Sequence, residues 1–313
     1  MSDIDPVPSE NTPSVSVVIA TKGRPVLLRA AIRAILLQDY RGPMDLVVVF
    51  DRIGIDPLDD IEIPVGRSIT TVSNSRTPGL AGGRNTGILG TSGVLVAFCD
   101  DDDEWTPTKI SQQVEALHRE PSAILVSTGI RIETNGRSYI RLPPARVAFL
   151  DLLESRITEI HPSSFLIRRS NLLGVVGLVD EALPASYGED YDLLLRAARV
   201  GDVIAIQEPL VIVHWDRASF FADRWQGIAD GLTYLLAKHP EFSRSPKGSA
   251  RIEGQIAFAY ASLKQRKVAW RWARRSIRHD RTQLRAWAAL TIAVRLAPAG
   301  ALVRIVNRRG RGM

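Results

Sequence analysis

The chain has 313 residues, with 40 lysines and arginines against 34 acids, a net charge of +6 and one cysteine. That length buries a large core and suggests one sizeable domain with an appendage, or two domains. A single cysteine, Cys99, excludes an internal disulfide and fits a reducing compartment. The charge is uneven: from Arg244 to Met313 there are 17 basic residues and two acids, Glu253 and Asp280, giving +15, so the preceding residues carry −9. An acidic front and a basic tail point to two regions with different roles.

In chain order, residues 1–13 are polar, contain Pro6, Pro8 and Pro13 and lack an apolar signal core, so a disordered leader is expected. Val15 to Ala20 is an apolar strand, and Val26 to Leu37 shows helical spacing. Leu46 to Phe50 and Ile69 to Val72 are further strands, Gly79 to Gly93 carries a short helix, and Val94 to Cys99 is a buried strand. This alternation predicts a three-layer, mostly parallel sheet. Ala123 to Ile132, Ser163 to Ile167, Val203 to Ile206 and Val211 to His214 read as strands, with a helix over Asp190 to Val200. After Ser219 the pattern is helical only: Ser249 to Lys264, Val268 to His279, Gln283 to Leu296 and Ala299 to Asn307. The expected organisation is a catalytic domain over 14–220 and a basic helical region over 221–313.

The segment with the most chemistry is Asp100-Asp101-Asp102-Asp103, directly after the buried strand. Adjacent carboxylates raise one another's pKa and disfavour folding. A hard divalent cation, Mg²⁺ or Mn²⁺, relieves that cost by taking carboxylate oxygens as ligands. Carboxyl ends of strands in open α/β sheets are also where ligands bind. A plainer role is helix capping, with Asp103 or Thr106 capping a helix that begins at Pro107. The offsets do not fit an EF-hand, and Cys99, inside the strand, reads as a core residue.

No Walker loop is present, and no Gly-x-Gly-x-x-Gly follows the first strand. Gly82-Gly83-Arg84-Asn85-Thr86-Gly87 is a small-residue turn whose amides and Arg84 could approach a diphosphate. Taken together, Val15 to Thr21 with Arg24-Pro25, Asp51 after a strand, Gly79 to Ile88, Ala97 to Trp105, and Gly188-Glu189-Asp190-Tyr191-Asp192 resemble family 2 glycosyltransferases, over about residues 14–220. The resemblance implies the GT-A fold, a nucleotide-diphosphate sugar donor (UDP-sugar by default), a divalent metal and transfer with inversion. By position it implies Asp51, Arg84, Thr21, Arg24, Asp100 and Asp101 on the donor side, and Asp102 as metal ligand with His214 as a second candidate. Asp190 would be the catalytic base, and Trp105, His161 and Glu189 would lie on the acceptor side.

Several features depart from the family pattern. Ala20-Thr21-Lys22-Gly23 replaces its usual proline-threonine-aromatic-asparagine, and Phe50 stands where a second acid often precedes Asp51. Asp190 opens a helix, where an acid also serves as a cap. His118, His239 and His279 read as surface histidines.

In the tail, Arg271, Arg274, Arg275 and Arg278 recur at helical spacing with Trp270 and Trp272 between them. Helices packed together with a solvated arginine face explain this, as does an anionic membrane surface. Nucleic acid is the least expected partner, because an acidic catalytic half repels phosphate. The apolar stretches between Arg285, Arg295 and Arg304 are nine and eight residues, short of the roughly 20 that span a bilayer. The expected location is the cytoplasm, with peripheral attachment at the inner membrane face as its extension, and a polysaccharide, glycolipid or lipid-linked acceptor. Two other readings fit the same residues: a sugar nucleotidyltransferase, and a catalytically inactive scaffold of transferase fold at a membrane surface.

Overall fold

The structure, a computed structural model, describes residues 12–215 and 224–296. Most of the expected leader, the last residues of the expected catalytic domain (216–220) and the helix expected at Ala299 to Asn307 lie outside the described residues. Two compact units divide the chain: Met1–Ala148 with Ile157–Glu181 and Asp192–Arg217, and Phe149–Arg156 with Ala182–Tyr191 and Ala218–Met313.

The first unit is a ten-stranded sheet with helices. Strands β1 (Val15–Thr21), β2 (Met44–Phe50), β3 (Arg67–Ser73) and β4 (Leu95–Asp100) are mutually parallel in the order β3-β2-β1-β4. β1, β2 and β4 are nearly all buried, as expected of strands covered on both faces. The crossovers are α1 (Pro25–Leu36) and α2 (Leu80–Gly90), and α1 buries Leu28, Ala31, Ile32, Ile35 and Leu36, the apolar stripe of its sequence.

The other half of the sheet is mixed. β5 (Glu104–Trp105), β6 (Leu125–Thr134), β7 (Arg137–Arg141), β8 (Arg146–Val147), β9 (Leu166–Arg168) and β10 (Val203–His214) complete it, with β9 antiparallel to β4 and to β6, and β10 parallel to β6. The two strands expected at Val203 to Ile206 and Val211 to His214 are one, with its register shifted around Pro209. Proline has no N–H for the ladder, so the chain bulges there and then resumes pairing. Ser163 and Ser164 were expected in a strand; Pro162–Ser164 is instead a single 3₁₀ turn before β9. The hairpin between β6 and β7 turns at Asn135 and Gly136, with φ of 48° and 70°. This is the Asn-Gly hairpin signal, passed over in the sequence.

The expected cap on the next helix is also corrected. α3 runs over Lys109–Arg119, starting after Pro107, and no side chain caps it from Thr108. Asp103 bonds elsewhere, and the Ile110 N–H donates to Gln38 Oε1 at 3.0 Å. A residue far away in sequence meets a need that local reading gave to a neighbour.

In the second unit, α4 (Phe149–Glu154), α7 (Trp225–Lys238), α8 (Pro246–Ser262), α9 (Arg266–His279) and α10 (Leu284–Ala293) are described; the short α5 (Arg169–Leu173) and α6 (Glu189–Val200) come between α4 and α7 in chain order. The alanine-rich faces of α8, α9 and α10 make its core, including Ala257, Ala261, Ala269, Ala273, Ala286 and Ala289. Ser245 caps α8 by accepting the Gly248 N–H at 3.0 Å. His239, expected on the surface, is fully buried beside Phe242.

Candidate active site

Parallel register brings the carboxyl ends of β1, β2 and β4 together: Thr21 lies beside Phe50, and Ala20 beside Asp100. Thr21, Asp51 and the Asp100–Asp103 run therefore converge on one rim of the first unit. Helix α2 reaches the same rim. A Cβ on Gly82 would meet the Thr77 carbonyl oxygen at 1.8 Å, and one on Gly83 would sit 3.0 Å from Ala20 Cβ. These glycines let the backbone approach, as the small-residue turn suggested.

Arg24 binds the middle of the acid run, with one guanidinium nitrogen on Asp101 and the other on Asp102. Thr21 Oγ1 donates to Asp101 Oδ2 at 2.6 Å. Asp101 is 1% exposed. Burial pushes its carboxyl up, as do Asp102 and Asp100, while the Thr21 hydroxyl and Arg24 oppose the rise, and burial prevails. Arg84, buried, donates to Asp100 Oδ1 at 2.7 Å.

The carboxylates point different ways. Asp100, Asp103 and His161 each offer a ligand atom, all within 4.8 Å of one another. Ser163 holds this group: its Oγ accepts the Asp100 N–H at 3.0 Å and donates to Asp103 Oδ2 at 2.5 Å. His161 Nδ1 lies 3.3 Å from Asp103 Oδ2 and accepts the Ser163 N–H at 3.3 Å. Two carboxylates and an imidazole form a donor set suited to Mn²⁺ and open to Mg²⁺ through the oxygens. Asp102 and His214 are not part of this set: Asp102 is on Arg24, and His214 Nε2 pairs with Glu104 Oε1 at 2.9 Å. Cys99 lies behind the run, its thiol pushed well above the ordinary value by burial and by Asp103 and Asp100, which suits an inert core residue.

Asp51 Oδ1 accepts from Asn74 Nδ2 at 2.8 Å and from the Gly79 N–H at 3.2 Å, and Lys22 Nζ stands 4.0 Å from Oδ2. Sequence reading missed Glu181, which fastens the adjoining loop. It accepts from Asn85 Nδ2 at 2.6 Å, the Thr77 N–H at 3.1 Å and Arg76. Partial burial works against its charge, yet these bonds prevail and hold its carboxyl at about 2. No local motif marks it. Trp105 is 3% exposed in the core, and its Nε1 donates to the Ser163 carbonyl at 2.9 Å.

Asp190 and Glu189 belong to the second unit. Arg156 Nη2 donates to both Asp190 oxygens, at 2.7 and 2.6 Å, and Glu189 is buried. Arg156 was not singled out in the sequence, because one arginine 34 residues from its partner carries no pattern.

Comparison with known proteins gives this geometry a family. Residues 16–174 match the family model described as glycosyl transferase family 2. The putative colanic acid biosynthesis glycosyl transferase WcaA of Escherichia coli is 31% identical over 84% of this chain and 92% of its own. The Escherichia coli UDP-Glc:alpha-D-GlcNAc-diphosphoundecaprenol beta-1,3-glucosyltransferase WfaP is 30% identical over 34% of this chain and 42% of its own, so the chain spans less than half of that relative. Against an uncharacterised glycosyltransferase of Rickettsia prowazekii it spans 63%. Two solved structures share the fold: S. aureus TarS 1–349 in complex with UDP-GlcNAc (TM-score 0.57, 13% identity, 95% of this chain and 92% of that one) and the mannosyltransferase PcManGT of Pyrobaculum calidifontis in complex with GDP-Man and Mn²⁺ (TM-score 0.56, 19%, 98% and 82%). With the acid run and its arginines at the carboxyl ends of parallel strands, and a family match over half its length, the chain belongs to glycosyltransferase family 2 and has the GT-A fold.

Proposed function

We propose that this glycosyltransferase moves a sugar from a nucleotide-diphosphate sugar to an acceptor hydroxyl with inversion, using a divalent cation. The observation that carries the proposal is the set of Asp100, Asp103 and His161, with ligand atoms within 4.8 Å, beside Asp101 and Asp102, both bound by Arg24. Mg²⁺ or Mn²⁺ held there would supply Lewis-acid stabilisation of charge on the departing diphosphate. The geometry favours this set over Asp102 and His214, the ligands expected from the family's motif.

On this reading Asp51 orients the nucleoside, and Thr21, Arg24 and Arg84 hold Asp100 and Asp101 in place on the donor side. Asp190 removes the acceptor hydroxyl's proton, the oxygen forms its bond to the anomeric carbon, and the bond to diphosphate breaks with its electrons leaving on the nucleotide. A single inverting displacement needs one carboxylate as base. The default donor is a UDP-sugar, and the names of WfaP and of the TarS complex support that choice. A lipid-linked acceptor fits WfaP's name and the basic tail, which would sit on an anionic membrane surface at the inner face. Residues 14–220 would carry catalysis and 221–313 that contact.

The test is nucleotide release from UDP-glucose, UDP-N-acetylglucosamine and GDP-mannose with Mg²⁺ or Mn²⁺. Metal-dependent release from one donor is expected, with Asp190→Asn reducing turnover by roughly 10²–10⁴-fold while nucleotide binding persists. Binding without turnover on every donor would support an inactive scaffold instead.

A further inference from the structure

We propose that Arg156 is a positioning residue for transfer, acting on the acceptor proton through Asp190; the proposal rests on reading Asp190 as the base. Arg156 and Asp190 lie in the same unit, with side chains 35% and 12% exposed. One guanidinium nitrogen bonds both carboxylate oxygens, at 2.7 and 2.6 Å, so rotating the carboxylate lengthens one contact as it shortens the other. The clamp is itself supported. The Arg156 guanidinium carbon lies 5.9 Å from the Tyr191 ring centroid. The Tyr191 hydroxyl donates to the Leu152 carbonyl and accepts from Arg251 Nη2 at 2.8 Å.

A base needs a fixed direction and must be ionised before it takes a proton. Asp190 has a side chain 12% exposed and adjoins a second acid, the buried Glu189. An arginine is always charged and favours the ionised form. Arg156 therefore meets both requirements without touching substrate. The Arg156–Asp190 pair is not a surface ion pair of convenience: burial opposes the charge on Arg156, and Asp190, Tyr187 and Glu189 outweigh it, so the guanidinium is held above its ordinary value.

The test is a double-mutant cycle on full-length protein, read as nucleotide release from the donor selected above with water as acceptor. Arg156→Met should lower kcat about tenfold or more and leave the donor KM within about twofold, a part of what a general base supplies. Arg156→Lys should recover part of the loss. In an Asp190→Asn background, Arg156→Met should cost nothing further, because both act through one group. A merely structural arginine would lower turnover in that background as well, and that result would overturn the proposal. So would unchanged kcat in Arg156→Met or, if that variant does not fold, in Arg156→Gln. Full turnover in Asp190→Asn alone would remove the base reading, and the proposal with it.

Discussion

At the scale of single residues, Lys109 makes the sharpest statement. It is 0% exposed, with Nζ 2.8 Å from Gln113 Oε1 and 3.7 Å from the Trp105 ring centroid. Burial lowers its pKa to about 7, against about 10.4 in an unfolded chain. Between these values the unfolded state binds more protons, so Lys109 makes stability rise with pH over roughly 7 to 10, and its burial penalty is fully present below 7. Lys109→Met should therefore raise unfolding free energy at pH 6 by on the order of 1–3 kcal/mol, an advantage that disappears near pH 10. Denaturant titrations at the two pH values check this, and an equal difference at both would contradict it. The proposed metal site is tested at the same scale. Asp103→Asn and His161→Gln should each weaken Mn²⁺ binding in the presence of UDP by roughly tenfold or more, and His214→Gln should leave it unchanged, as read by electron paramagnetic resonance of free Mn²⁺.

Among the elements, α2 shows how a helix of modest amphipathicity earns its place through glycine. A Cβ on Gly82 would meet the Thr77 carbonyl oxygen at 1.8 Å, and one on Gly87 would meet Val18 Cγ1 at 2.3 Å, but at Gly90 it finds only Val47 Cγ1 at 3.9 Å. Gly82→Ala and Gly87→Ala should each destabilise by about 1–3 kcal/mol, with Gly90→Ala neutral or slightly stabilising; thermal melts test this. Glu181 fastens the same helix through Asn85. Its folded pKa of about 2 lies below the unfolded value, so its stabilisation is present above about pH 4.5 and is lost as pH falls towards 2. The stability gap between wild type and Glu181→Gln, on the order of 2 kcal/mol at neutral pH, should hold down to about pH 5 and narrow from there to about pH 3. The strands and long helices were legible because burial on both faces leaves unbroken apolar runs, and packing on one face leaves a stripe. The β6–β7 hairpin and α7 were passed over, the first in spite of a clear Asn-Gly turn and the second because its apolar residues carry no clear start signal: no side chain caps it from Arg224.

For the whole molecule, the question is what the basic tail does. Its arginines are not equivalent. Arg275 pairs with Glu253 at 2.8 Å, and Trp272 packs on the alanine core. Trp270 and Trp287 stay 46% and 48% exposed, with Arg271 and Arg274 on the outer face of α9. If these cations meet anionic lipid, each contributes about 1 kcal/mol near the surface. Arg271→Glu with Arg274→Glu should then reduce binding to phosphatidylglycerol-containing vesicles by well over tenfold, measured by co-sedimentation at low salt. Equal binding of wild type and variant would assign that face to water. Among the described residues no helix is long and apolar enough to cross a membrane.

Sequence alone determined the alternation of strands and helices, the acidic front and basic tail, and the presence of four carboxylates at a strand end. Each follows from local period or composition, which a linear reading can count. Tertiary structure decided which carboxylates face one another: Asp103 turns to His161 and Ser163, 58 and 60 residues away, and Arg24 takes Asp101 and Asp102 from across the rim. It also decided that Arg156 grips Asp190. Pairings of that kind depend on where strand ends and turns meet in space, and no spacing along the chain encodes them.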